Sequence, residues 1–124
     1  MADMNQNDSD KAFKEALILS ELSHPNIIKF KEVYRTVNNK LKIIMEYADG
    51  GDLASLMKTY KTQGKMFTES QILAWFTQVC LAIKHCHDRK IIHRDIKGQN
   101  VFMMKNGMAK LGDFGISTIL TKTL

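Results

Sequence analysis

Proline is nearly absent from this chain of 124 residues, Pro25 being its one occurrence, and the seven glycines are scattered along the length. That scarcity excludes collagen-like and low-complexity chains. Long hydrophobic runs are missing as well. Ala16-Leu17-Ile18-Leu19 is typical of the longest, far short of the roughly 20 residues that a bilayer span requires. Polar residues follow Met1, among them Asp3, Asn5, Asn7, Asp8 and Asp10, so no signal peptide is expected. Cysteine is limited to Cys80 and Cys86. Without C-x-x-C spacing the pair is expected as reduced core thiols of a cytosolic protein.

The composition that remains is ordinary for one globular domain: 44% hydrophobic, 25% charged, with 18 Lys+Arg against 13 Asp+Glu and a net charge of +5. The lysines, from Lys11 and Lys14 through Lys29, Lys31, Lys40, Lys42 and Lys58, do not form the stripe that a nucleic-acid groove needs. A solvated basic surface accounts for them better, and neither nucleic acid nor membrane is expected as a partner.

Phe13, Ala16, Leu17, Ser20 and Leu22 follow helical spacing, which predicts a helix from Ser9 or Asp10 to the stop at Ser23-His24-Pro25. Strands are predicted over 27–34 and 41–47, with Asn38-Asn39 as the turn and Leu41, Ile43, Met45 and Tyr47 on one face. Asp49-Gly50-Gly51 interrupts the chain, and Asp52 caps a short helix to about Tyr60. Thr68 and Gln71 form a capping box that opens the longest helix, about 69–87. Its apolar residues, including Ile72, Leu73, Trp75, Phe76, Val79, Cys80, Ile83 and Cys86, cover about half the circumference, so it expects neighbours on more than one side. Short strands are predicted at 90–92, 100–104 and 108–111, the last two joined by Lys105-Asn106-Gly107. The order is α+β.

The chemistry concentrates in His93-Arg94-Asp95-Ile96-Lys97-Gly98-Gln99-Asn100, followed by Asp113-Phe114-Gly115. Asn100 and Asp113 offer hard oxygen ligands suited to Mg²⁺. Lys97 is placed to neutralise a phosphate while Asp95 orients a hydroxyl or accepts its proton, the positioning and charge neutralisation that phosphoryl transfer needs. Taken singly, each is also an ordinary loop residue, since Asp and Asn favour turns. His85 and His87, at i and i+2 on a helix, point to different faces and make a poor metal pair.

Taken together, H-R-D-x-x-x-x-N and D-F-G form the protein-kinase signature set. The chain resembles a eukaryotic protein kinase of serine/threonine type along nearly all its length. Gln71-Ile72-Leu73-Ala74-Trp75-Phe76, His87-Asp88-Arg89-Lys90 and Leu111-Gly112-Asp113-Phe114-Gly115-Ile116 look most like the NIMA-related kinases. The resemblance implies a protein-kinase-like fold with ATP and Mg²⁺ as cofactors and a protein Ser/Thr hydroxyl as acceptor. It makes Asp95 the catalytic base, Lys97 the contact to the transferred phosphate, and Asn100 and Asp113 the metal ligands. Glu15 matches the C-helix glutamate, Met45 the gatekeeper, and the backbones of Glu46 and Ala48 the adenine contacts. Asp52 would reach the ribose and Phe102 would pack under the adenine. Arg94 would meet a phosphorylated activation segment, and Leu19, Phe30, His93 and Phe114 would stack as an apolar spine. Ile116, β-branched and stiff at χ1, implies a threonine preference. Cytoplasmic location is expected, with cytoskeletal or nuclear association implied by the resemblance.

The sequence also departs from the family. Nothing before Glu15 resembles G-x-G-x-x-G-x-V or V-A-I-K, and A-P-E is missing after Asp113-Phe114-Gly115. The expectation is therefore a partial kinase domain over 1–124, with a small-lobe remnant at about 8–47 and hinge and large-lobe remnant at 48–124. That fold is incomplete: C-helix, two small-lobe strands, hinge, first large-lobe helices, catalytic loop and the start of the activation segment. Alone it is expected to be inactive. The alternative is a catalytically dead kinase-derived fragment that acts as a binding or regulatory module.

Overall fold

The computed structural model describes residues 6–92 and 96–112, with side chains from Asp10 onward. Among them are three helices and two two-stranded antiparallel sheets, the α+β content expected. They belong to two units, 6–23 with 29–46, and 24–28 with 47–112.

In the first unit, helix α1 (Gln6–Ser20) packs on strands β1 (Phe30–Arg35) and β2 (Leu41–Met45). Ala12, Ala16 and Leu19 recur at helical spacing and are buried. The strands pair antiparallel from Phe30 opposite Met45 to Arg35 opposite Leu41, with a bulge at Lys31. Asn39 closes the turn at φ 60°, a conformation that Asn tolerates better than most residues.

The second unit contains α2 (Leu53–Thr62), α3 (Glu69–Asp88), a 3₁₀ turn (Gly98–Asn100), β3 (Val101–Met103) and β4 (Ala109–Leu111). Both helix starts are legible in the sequence. Asp52 Oδ2 accepts from the Ser55 N–H at 2.9 Å, and Thr68 and Gln71 make the reciprocal capping box. Ala82 and Cys86 of α3 are buried, as are Val101, Met103, Ala109 and Leu111 of the hairpin and Ile27 and Ile28 beside it. The Gly50 N–H donates to Met103 O at 2.8 Å. A Cβ at Gly50 would lie 2.6 Å from that same oxygen, so the approach requires glycine.

Several boundaries differ from expectation. Helix α1 begins earlier, at Gln6, and ends at Ser20, before the Ser23-His24-Pro25 stop. Strand β1 begins at Phe30 because Ile27 and Ile28 are engaged elsewhere: Ile27 bridges Leu111, and the Ile28 N–H donates to Leu111 O. Strand β2 ends at Met45, which is exposed, as is Tyr47, so the expected common face holds only for half-buried Leu41 and Ile43. The strand expected at 90–92 is instead the C-terminal cap of α3. Lys90 takes φ 61° and donates to His87 O, while the Ile91 N–H reaches back to Cys86 O. That is a Schellman closure, and it consumes the donors that a strand would need. Cys80 is exposed rather than in the core; only Cys86 is buried. Ile72, Leu73 and Phe76 on α3 are exposed, so among the described residues this helix is covered on one side only.

Candidate active site

The second unit contains the described part of the loop that carries the chemistry. Lys97 is exposed in extended backbone and leads into the 3₁₀ turn. Asn100 closes that turn and is 3% exposed. Its backbone is fixed on both sides: its N–H donates to Lys97 O, and its carbonyl accepts from the Gly112 N–H, each at 2.9 Å. These bonds fix the backbone from which the Asn100 side chain projects, and a side-chain amide carries the kind of hard oxygen that Mg²⁺ accepts. His93, Arg94, Asp95, Asp113 and Phe114 lie outside the described residues, as does Ile116.

Phe102, half-buried on β3, forms an isolated antiparallel bridge with Asp52. The Phe102 ring also closes over Gly112, where a Cβ would meet Cδ2 and Cε2 at 2.8 Å. A side chain there would force the Phe102 ring to shift. Asp52 uses both carboxylate oxygens as a helix cap, accepting from the Ser55 N–H and, at 2.7 Å, from its hydroxyl. The Ser55 side-chain and backbone hydrogen bonds hold this carboxyl below the usual carboxylate range. Ala48 is half-buried, and its carbonyl accepts from the Gly51 N–H.

In the first unit, Glu15 lies on α1, and its Oε2 is buried with no hydrogen-bond partner among the described residues. Such an orphan is uncommon and fits a group whose cation is not among these residues. Glu46 follows β2, with its N–H donating to Lys29 O at 2.8 Å and its Oε1 accepting from the Lys29 N–H at 3.1 Å. Met45 is 48% exposed. Leu19 and Phe30 are buried at 4% and 3% exposure.

Two arrangements were not legible in the sequence. Asn26 Nδ2 donates to Gln78 Oε1 and to Ala109 O, while Gln78 Oε1 also accepts from the Ala109 N–H. This ties the 24–28 segment to α3 and β4. His24 and His85 meet with ring centroids 5.0 Å apart and ring planes tilted by 51°. Burial, reinforced by the Arg89 charge, pushes both imidazoles below their ordinary value. No spacing rule links positions so distant in sequence. Burial also pushes the Cys86 thiol up to about 11, which leaves it inert at neutral pH. No group of three or more metal-ligating side chains exists among the described residues, and no described helix is long and apolar enough to cross a membrane.

The protein kinase domain family matches residues 1–124. The chain is 46% identical over 121 residues to the serine/threonine-protein kinase Nek1 of Mus musculus, a match covering 98% of this chain and 10% of that protein. It is 51% identical over 112 residues to human Nek5, covering 90% and 15% respectively. With Mus musculus Nek3 it shares 46% over 119 residues, covering 96% and 23%. The chain thus spans less than a quarter of the length of these relatives. The signature around the catalytic loop, the described fold and these similarities agree: this chain belongs to the protein kinase family, within its NIMA-related serine/threonine branch.

Proposed function

We propose that this chain is the catalytic-loop segment of a protein kinase that transfers the γ-phosphoryl group of ATP to a serine or threonine hydroxyl of a protein substrate. The observation that carries this reading is Asn100, buried and pinned through both backbone groups at the start of β3. With Asp113 it would hold Mg²⁺, which supplies charge neutralisation on the phosphates. Asp95 would accept the hydroxyl proton, and Lys97, exposed beside it in sequence, would contact the transferred phosphate. Glu46 and Ala48 would offer backbone groups to adenine, with Met45 as gatekeeper, while Phe102 would meet the ring face. Asp52 would reach the ribose from its capping position, its carboxylate being kept ionised. Arg94 would answer a phosphorylated activation segment as a bidentate anion site. Leu19, Phe30, His93 and Phe114 would form the apolar spine.

The 124 residues alone are inactive on this reading, because no glycine-rich loop or V-A-I-K lysine occurs in the sequence and Glu15 Oε2 has no partner among the described residues. A threonine preference from Ile116 would be modest, about 0.8 kcal/mol for one packed methyl, or roughly fourfold in rate. A cytoplasmic site of action, with cytoskeletal or nuclear association, belongs to the same reading by family resemblance.

The test is a chimera in which residues 1–124 replace the matching segment of the Nek1 kinase domain. Transfer from Mg-ATP to peptides differing only in Ser or Thr is then measured beside the 124-residue chain. The chimera is expected to be active, with an Asp95→Ala loss of about a thousandfold, and the chain alone silent. A folded but inactive chimera would favour the binding-module alternative.

A further inference from the structure

Arg35, at the end of β1, grips helix α1 twice. Its Nη1 lies 2.6 Å from Asp10 Oδ1, and its guanidinium carbon lies 4.8 Å from the centroid of the Phe13 ring. The same nitrogen lies 3.5 Å from Asn39 Oδ1. Arg35 Nε is buried without an acceptor among the described residues, so the grip consists of one ion pair and one cation–π contact. The Asp10–Arg35 pair joins positions remote in sequence and is no i,i+4 helix pair.

The helical wheel gives this contact its meaning. At 100° per residue, the buried face of α1 is centred on Ala12, Ala16 and Leu19. Phe13 flanks that face on one shoulder, with Asp10 beyond it. Glu15 flanks it on the opposite shoulder. Ala12 and Ala16 carry one methyl each, so the middle of this face has no long side chain to key the rotation of the helix, and that is left to Leu19 near its C-terminal end. A contact held on one shoulder therefore fixes the angle at which the other shoulder faces the strands. With side chains reaching about 6 Å from the axis, a roll of ~20° carries a carboxylate roughly 2 Å, enough to spoil a catalytic alignment.

We propose that Arg35 is a positioning residue: by clamping Asp10 and Phe13 it sets the rotation of α1 and so holds the Glu15 carboxylate in place. Its importance for catalysis rests on the reading of Glu15 given above; the clamp itself does not.

The test uses the full chain in solution, with isotope labelling, and no nucleotide. Solvent paramagnetic relaxation at the Glu15 γ-methylene is compared with amide exchange along α1, in the parent, Arg35→Gln, Arg35→Lys and the exchanged pair Asp10→Arg with Arg35→Asp. Arg35→Gln is expected to raise relaxation at Glu15 about twofold while the α1 amides stay protected, the sign of a roll rather than of unfolding. The exchanged pair is expected to restore the parent value, and Arg35→Lys to restore part of it. Unchanged relaxation in Arg35→Gln would overturn the proposal. So would a uniform loss of amide protection, or an exchanged pair that behaves like Arg35→Gln. Inactivity of the Nek1 chimera would count against the kinase reading and leave this measurement standing.

Discussion

Asn26 and Glu15, one in each unit, are polar side chains with atoms withdrawn from water, and the structure treats them in opposite ways. Asn26 is 6% exposed and thoroughly bonded. Its amide donates twice, its N–H donates to His24 Nδ1, and its carbonyl accepts from the Leu111 N–H. Glu15 leaves Oε2 buried and without a hydrogen-bond partner among the described residues. A satisfied polar group fixes a fold, because removing it strands its partners. An unsatisfied one costs stability without fixing anything. On the proposed reading of Glu15, the difference separates a residue kept for architecture from one kept for a partner.

The largest effect that follows is at the architectural end. Asn26→Ala strands the Ala109 carbonyl, leaves Gln78 Oε1 with the Ala109 N–H as its remaining donor, and opens a small void, so a loss of about 3 kcal/mol is expected. Urea unfolding of the whole chain measures it. A loss below about 1 kcal/mol would mean the hub is ornamental, and the comparison with Glu15 would fail.

That hub also marks the limit of what the sequence reveals. Local rules were legible: Asp52 and Thr68-Gln71 as helix caps, Asn38-Asn39 as a turn, and the hairpin around Asn106-Gly107. Each depends on residues within four positions of one another, where backbone geometry forces the outcome. Position 90–92 failed because a helix cap and a strand compete for the same N–H groups, and the Schellman closure wins. Ile27 and Ile28 failed because β-branched residues read as strand, whether they pair with β2 or with Leu111. For the candidate site, residue types and spacing named Asn100 and Lys97, and the family resemblance added Asp52, but neither showed that Asp52 spends both oxygens on capping. The Arg35–Asp10 clamp and the Asn26–Gln78 hub join distant positions by geometry alone, and no local pattern encodes them.

A middling effect is expected from pH, and it probes the same hub. Burial depresses both His24 and His85, with the Arg89 charge adding to it; the Asp88 carboxylate opposes it at His85. Groups depressed in the folded state contribute stability that is complete above their unfolded value, near 6.5, and lost as pH falls below it. Protonation at His24 Nδ1 would also replace the acceptor of the Asn26 N–H with a second donor. The urea midpoint should therefore fall between pH 7 and 5, and His24→Gln should flatten the decline. An unchanged slope in that variant would detach the histidines from the hub.

The smallest effect is the most informative. Glu15→Met keeps chain length and helix propensity nearly constant while removing a carboxylate whose buried oxygen bonds to nothing among the described residues. No partner is stranded, and the desolvation cost disappears. Stability should stay level or rise by up to about 1 kcal/mol, whereas the same change in the active Nek1 chimera should remove most phosphoryl transfer. Stability and activity then move independently at one position, which is what a residue held for a cation requires. A loss above about 2 kcal/mol in the isolated chain would instead make Glu15 a structural residue like Asn26, and the contrast between the two units would collapse.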